Sequence, residues 1–304
     1  MTDEVFEDEI KPFLFDGIVG GDENPAFVLL TGQTGAGRSR AVGRLLNDSP
    51  GSVVLSAASM RPFLREGQDV EVVRDWMRDA LTYARDNRVS VILEDAFQSA
   101  QDARAALDLF NAAGFQTRII AVAVSRPESL LAAVARSTRQ TRTVNRSRRA
   151  IRDDVDLGIR TQRELLSLPL TSTEVTIVRR DGVFVESTAD PAGAWQDACA
   201  EPMPTRVAAE WISELRRITD AAIEQSNGSP NTIVDPLVDL HRAAISEVVP
   251  VLSLPANSTA RIQLDARLKR ALVALETLAA ELNRPVGVQG HKPEADHGPG
   301  LDRP

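Results

Sequence analysis

A chain of 304 residues, 43% of them apolar, has material for a large buried core and for about two domains, and its formal net charge is -8. That acidic balance argues against a protein whose main task is coating nucleic acid or an anionic membrane, although it leaves room for local basic patches. The lone cysteine, Cys199, excludes a disulfide framework within one chain and fits a reducing compartment. The opening segment MTDEVFEDEI is acidic where a secretory signal would be basic, and no apolar run approaches the ~18 residues of a membrane span. A cytoplasmic, globular chain is expected.

In chain order, short apolar runs alternate with helical patterns up to residue 186, the rhythm of an α/β fold in which a parallel sheet carries helices on both faces. The expected strands are Phe27 to Thr31, Ser52 to Leu55, Val89 to Glu94 and Arg118 to Val124, each short and rich in β-branched residues. Between the second and third, VEVVRDWMRDALTYARD sets Val70, Val73, Met77, Ala80, Leu81 and Ala84 near one face, as in a packing helix. The segment EVTIVRRDGVFVES reads as an antiparallel hairpin turning at Arg180, Asp181 and Gly182, which closes the first domain at residues 1–186. Residues 187–284 then read as a helical region, and the Pro- and Gly-rich stretch 285–304 as a disordered tail. His241, His291 and His297 lie outside the α/β unit, which disfavours triad hydrolases and zinc enzymes, and Trp76, Trp195 and Trp211 read as packing residues.

The most informative stretch is FVLLTGQTGAGRSRAVGRLL. Gly32, Gln33, Thr34, Gly35, Ala36, Gly37, Arg38 and Ser39 match G-x-x-x-x-G-[KR]-[ST], with Arg40 following, between an expected strand and an expected helix. Glycines let the chain turn tightly so that successive amides face phosphate oxygens, and the helix N-terminus adds partial positive charge. Ser39 supplies a hydroxyl suited to Mg²⁺. A glycine-rich turn without a ligand is the competing reading, but the context favours a nucleotide site. Arg38 stands where lysine is usual, in a chain whose only lysines are Lys11, Lys269 and Lys292. Arginine can hold phosphate, yet it is bulkier and not interchangeable where geometry matters, so slower phosphoryl transfer is expected.

From Glu7 to Ser187 the chain resembles the zeta-toxin family. EDEIKPFLFDGIVGGDENPAFVLLTGQTGAGRSRAV is similar to its helical lead-in and phosphate loop, VILED to its third strand, NAAGFQTRIIAVAVSRPESLLAAVARS to its fourth strand and arginine-bearing helix, and VTIVRRDGVFVES to its closing hairpin. The resemblance implies a P-loop kinase that uses ATP or GTP with Mg²⁺ to phosphorylate the sugar 3'-hydroxyl of UDP-N-acetylglucosamine, starving the cell of wall precursor. It also implies control by a small helical antitoxin that obstructs the nucleotide site. Carried over by position, Gly32 to Ser39 form the phosphate loop, Glu94 is the carboxylate ending the third strand, and Arg136 is the first of two arginines around the transferred phosphate. The second is Arg142, with Arg146 behind it, if Arg152 and Asp153 fill the family's H-D positions.

The departures fall where the acceptor would react. The family's second strand ends in D-x-D, whose last aspartate is the base, whereas here Ser56 and Ala58 occupy those positions and neither can take a proton as a carboxylate does. The family's threonine and arginine after the third strand are replaced by Ala96 and Gln98. Asp95 is an addition: Glu94 and Asp95 together resemble a Walker B pair that holds Mg²⁺ through water, unless they are surface carboxylates at a strand end. The seven arginines from Arg136 to Arg152 suit a phosphate lid or a solvated helix face better than a nucleic-acid contact. Two functions are therefore expected to compete: a divergent kinase acting on a nucleotide sugar or another small hydroxyl substrate, and a catalytically impaired nucleotide-binding or interaction protein.

Overall fold

A computed structural model describes residues 4–18, 20–49, 51–68, 71–94, 97, 99–140, 150–186, 189–225 and 233–282. A π turn at Phe6–Ile10 runs into α1 (Lys11–Phe15), followed by β1 (Ala26–Thr31), α2 (Arg38–Asp48), β2 (Val53–Ser56), α3 (Ala57–Met60), α4 (Glu71–Asp86) and β3 (Val91–Glu94). Next come α5 (Ala100–Ala112), β4 (Gln116–Val122), α6 (Arg126–Gln140), α7 (Ala150–Ser167), β5 (Thr173–Val178) and β6 (Phe184–Glu186). The last helices are α8 (Pro191–Ala200), α9 (Thr205–Gln225), α10 (Val234–Ala243) and α11 (Thr259–Leu282).

The six strands form one sheet in the order β2-β3-β1-β4-β5-β6, parallel except for the final hairpin partner β6. After β1 the chain builds β2 and β3 on one side, then crosses to build β4 and β5 on the other. The carboxyl end of β1 thus lies at the crossover, where open α/β sheets place their ligands. Strand alternation sorts the apolar residues. Phe27, Leu29, Leu55, Leu93, Ile119 and Ile177 face a core built with α4, α5 and α8, and Val28, Leu30, Ile92 and Ile120 face α2 through Ala41 and Leu45. Trp76 completes the buried face of α4 with Val73, Met77, Ala80 and Ala84.

Several strand limits differ from the sequence reading by one or two residues, three of them for evident local reasons. Val89 still donates its amide to Ala84 O at the end of α4, so β3 begins only at Val91. Ser56 extends β2 by pairing with Glu94, and then caps α3 by accepting the Ser59 amide at 3.1 Å. Val124 turns its carbonyl to the Gln33 side chain, 2.9 Å away, instead of continuing β4.

Beyond residue 186, the helices do not behave alike. α8 packs into the sheet core through Ala192, Trp195 and Ala198, and Trp195 Nε1 donates to Val122 O at 3.1 Å. α9, α10 and α11 instead share a second core with α6 and α7, in which Leu215, Leu237, Leu240, Leu268 and Leu275 are buried beside Val134 and Val155. Trp211 joins that core and donates to Pro127 O at 3.2 Å. The expected tail, 285–304, lies outside the described residues.

Candidate phosphate-binding site

At the end of β1, the backbone folds as glycine chemistry requires. Gly35 and Gly37 have φ of +88° and +86°, in the left-handed region that costs other residues strain, and Gly37 is the N-cap of α2. A Cβ at Gly35 would lie 2.0 Å from Ser129 O, so no side chain fits between the loop and α6. A tight turn, Ala36 N to Gln33 O at 3.0 Å, closes the loop over the first turn of α2, whose leading amides have no intrahelical acceptors. Gln33 is 1% exposed and anchors the loop from beneath, donating to Val124 O and to Ser129 Oγ, both at 2.9 Å. Thr34 is half-buried in the turn, Ala36 is buried, and Arg40 is exposed on α2.

Three side chains meet at the mouth of the loop. Ser39 Oγ donates to Glu94 Oε1 at 2.9 Å, while Arg38 Nη1 donates to Gly32 O at 2.7 Å and Arg38 Nε stands 3.9 Å from the same Glu94 oxygen. Arg38 and Glu94 side chains are 17% and 18% exposed, so the pair is shielded but still open to a ligand. The strand register explains the meeting, since Glu94 lies opposite Leu30 on one side and Ser56 on the other. The Ser39 hydroxyl and Glu94 carboxylate suit Mg²⁺, which takes few protein oxygens and keeps several waters. No cluster of three or more His, Cys, Asp or Glu side chains that could hold a metal by itself occurs among the described residues.

Arg136 is exposed on α6, one turn beyond Ala133, whose amide nitrogen also approaches the Gly35 position at 3.1 Å. That places it on the helix face beside the loop, about 4.5 Å further along the axis. Asp95, Arg142 and Arg146 lie outside the described residues, as do Ala96 and Gln98. Arg152 is engaged elsewhere, 3.4 Å from Asp239 of α10. On the acceptor side, Ser56 is spent as a helix cap and Ala58 is exposed on α3, so both D-x-D positions lack a base.

The sequence reading missed the ion pairs that hold this edge together. Arg180 from the hairpin turn grips Glu128 of α6 with Nε at 2.5 Å and Nη2 at 2.6 Å, and also donates to the carbonyls of Glu201 and Pro202. Glu128 Oε2 in turn accepts the Ser125 amide and hydroxyl at 3.1 and 2.7 Å. The signal was present as Ser125-x-x-Glu128, a capping box with proline inside the first turn. Arg126 adds a bidentate bond to Asp156 on α7 at 2.6 and 3.0 Å and reaches Asp239 at 3.5 Å; the Asp156 bond is the main cause that raises its pKa. No local pattern could have paired residues this far apart. Burial pushes the Cys199 thiol up to about 12, so it stays protonated and structural.

A glycine loop with two left-handed turns, set between the central strand of a parallel sheet and a helix N-terminus, defines a P-loop α/β protein of the kinase type. The zeta toxin family model matches residues 17–188, more than half of the chain, and the protein belongs to that family of kinases. Among solved structures it is similar to a chain from the PezAT chromosomal toxin-antitoxin system of Streptococcus pneumoniae, with 16% identity and a TM-score of 0.59 over 72% of this chain and 98% of that one. A weaker likeness is to the AvrRxo1-ORF1:AvrRxo1-ORF2 complex with ATP, at 12% identity and a TM-score of 0.40, covering 84% of this chain and 81% of that one. No curated protein matches. No helix among the described residues is long and apolar enough to cross a membrane.

Proposed function

We propose that the protein binds ATP or GTP with Mg²⁺ at Gly32–Ser39 and transfers the γ-phosphoryl group to a hydroxyl of a nucleotide sugar, UDP-N-acetylglucosamine or a related acceptor. The observation that carries this reading is the Ser39–Glu94 bond at 2.9 Å at the mouth of a loop whose backbone is already turned for phosphate. Ser39 and Glu94 would hold Mg²⁺, with Asp95, next in sequence, as a further carboxylate, and the ion would supply positive charge against the phosphates. The loop amides and Arg38 would hold the phosphates, and Arg136, with Arg142 by family position, would stabilise the transferred group. In the transfer, the acceptor oxygen forms a bond to γ-phosphorus as the bond to the β-γ bridging oxygen breaks and the nucleoside diphosphate leaves. The acceptor proton needs a base, and Glu94 or Asp95 is the candidate in place of the missing aspartate. Family membership and the toxin-antitoxin origin of the pneumococcal neighbour support a small antitoxin as partner.

A second reading is favoured by Ser56 and Ala58: a protein that binds nucleotide without transferring phosphate, acting through interaction. Calorimetry with ATP and GTP in Mg²⁺ buffer, followed by ³¹P NMR of ATP with UDP-N-acetylglucosamine, separates the two. Binding with a new phosphomonoester signal supports the kinase, binding without turnover supports the second reading, and the absence of heat and thermal shift with both nucleotides sinks both.

A further inference from the structure

Helix α7 touches the phosphate loop at two neighbouring points. A Cβ added at Gly158 would lie 2.9 Å from Gln33 Cα and 3.0 Å from Gln33 Cβ, so the backbone of α7 rests directly on the loop. One turn further along the same face, Gln162 Oε1 accepts the hydroxyl of Thr31, two residues before Gln33, at 2.7 Å. Gln33 and Gln162 are 1% and 2% exposed, yet Gln33 Oε1 and Gln162 Nε2 both lack a hydrogen-bond partner. One is an acceptor and the other a donor. The Gln33 amide cannot be reversed to relieve this, because its Nε2 already serves Val124 O and Ser129 Oγ, and the opposite orientation would set its oxygen against a carbonyl. Buried groups without partners are costly, so a movement of α7 that joined them would be favoured.

The other part of α7 belongs to the C-terminal helices. Ile151 and Val155 are buried in the core formed with α9, α10 and α11, Arg152 pairs with Asp239 of α10, and Ile159 packs against both cores. α7 is therefore a rod whose N-terminal half lies in the helical region and whose middle, at Gly158 and Gln162, rests on the phosphate loop.

We infer that α7 transmits the position of the C-terminal helices to the phosphate loop, and that Gln162 is a positioning residue: an advance of α7 joins Gln162 Nε2 to Gln33 Oε1 and fixes the loop in its phosphate-accepting form. This rests on the reading that the loop binds a nucleoside triphosphate. Gly158 is the position that permits the close approach, since any side chain there would push α7 off Gln33.

The test measures Mg-ATP affinity by calorimetry beside the thermal midpoint for the unmodified protein, Gln162→Leu, Asp239→Asn and the Gln33→Leu/Gln162→Leu cycle. Gln162→Leu is expected to weaken ATP about tenfold with little change in midpoint, because the lost Thr31 bond is offset by removal of an unpartnered donor. Asp239→Asn, remote from the loop, is expected to weaken ATP about threefold, within the usual range of long-range coupling. The Gln33 and Gln162 losses are expected to be non-additive. ATP affinity within twofold of the unmodified protein in both single variants, or additive losses in the cycle, would overturn the inference. If the unmodified protein binds no ATP, the nucleotide reading fails, and hydrogen exchange of the Gln33 to Gly35 amides decides the coupling: faster exchange in Gln162→Leu and Asp239→Asn upholds it, unchanged exchange overturns it.

Discussion

Two regions at the carboxyl edge of the same sheet have departed from the family pattern to different degrees. At the end of β1 the phosphate loop keeps its glycine geometry, with left-handed Gly35 and Gly37 and the Ser39–Glu94 bond, and the main change is Arg38. At the end of β2, two strands away across β3, the D-x-D carboxylates are absent and Ser56 caps a short helix. The difference follows from what each region asks of its residues. Phosphate is held mainly by backbone amides, which survive side-chain replacement so long as the turns survive. A base is a single side chain, and its loss has no backbone remedy.

The largest expected effect breaks the phosphate side through the backbone. Gly35→Ala puts a Cβ 2.0 Å from Ser129 O at a residue with φ of +88°, so the loop must leave its present course. Loss of any thermal shift with Mg-ATP is expected, whereas Ala58→Ser at the acceptor side should leave that shift unchanged. Retained ATP binding in Gly35→Ala would mean that the nucleotide sits elsewhere.

Restoring the acceptor side is the complementary change. General-base assistance contributes typically 10²–10⁴-fold, so Ala58→Asp combined with Arg38→Lys should raise transfer to UDP-N-acetylglucosamine by about that range if the sugar pocket is intact. Arg38 belongs in the combination because its guanidinium is folded onto Gly32 O at 2.7 Å, where a lysine would present a compact charge to phosphate. Rates equal to those of the unmodified protein, measured by coupled ADP release, would mean that Glu94 or Asp95 already serves as base or that the acceptor differs.

The sheet and the turns of the glycine loop were legible in the sequence because each is local: a run of β-branched residues, a glycine spacing; Ser56 and Ala58 stand out only against the family resemblance. Strand ends were less legible, since Val89 and Val124 look like strand residues and are diverted by hydrogen bonds to Ala84 and from Gln33. Of the buttress around α6 and α7, only the Ser125–Glu128 capping box had a local sequence signal. Arg126 with Asp156, Arg152 with Asp239 and Arg180 with Glu128 join residues 30 to 87 positions apart, and the arginine-rich composition gave no way to distinguish these from solvated side chains.

Glu128 tests how far the intact phosphate side depends on that buttress. Its carboxylate is 14% exposed and its partner Arg180 15%, so Glu128→Ala leaves a guanidinium buried without its partner and removes half of the capping box. Destabilisation of roughly 3 kcal/mol is expected. Because Ser129 abuts Gly35, ATP affinity should fall as well, while Glu224→Ala, at an exposed position near the end of α9, should change neither. A thermal midpoint unmoved by Glu128→Ala would place the pair among ion contacts that do not hold the fold.

The smallest expected effect is a pH dependence seated in the C-terminal helices. His241 is 1% exposed, its Nε2 lies 3.0 Å from Thr219 Oγ1, and burial lowers its pKa from 6.5 to about 4. The unfolded chain therefore takes up a proton from about pH 6.5 downward while the folded protein resists until about pH 4. Stability attributable to this group is full above pH 6.5, declines as pH falls through that window, and levels off below it. The decline amounts to a few kcal/mol at most, at about 1.4 kcal/mol per pH unit. His241→Gln keeps a polar partner for Thr219 but does not titrate, so its midpoint should fall less between pH 6.5 and 4.5 than that of the unmodified protein, after the carboxylate contribution common to both is subtracted. Parallel stability curves for the two proteins would mean that the imidazole is charged in the folded state, and the buried neutral histidine would have to be abandoned.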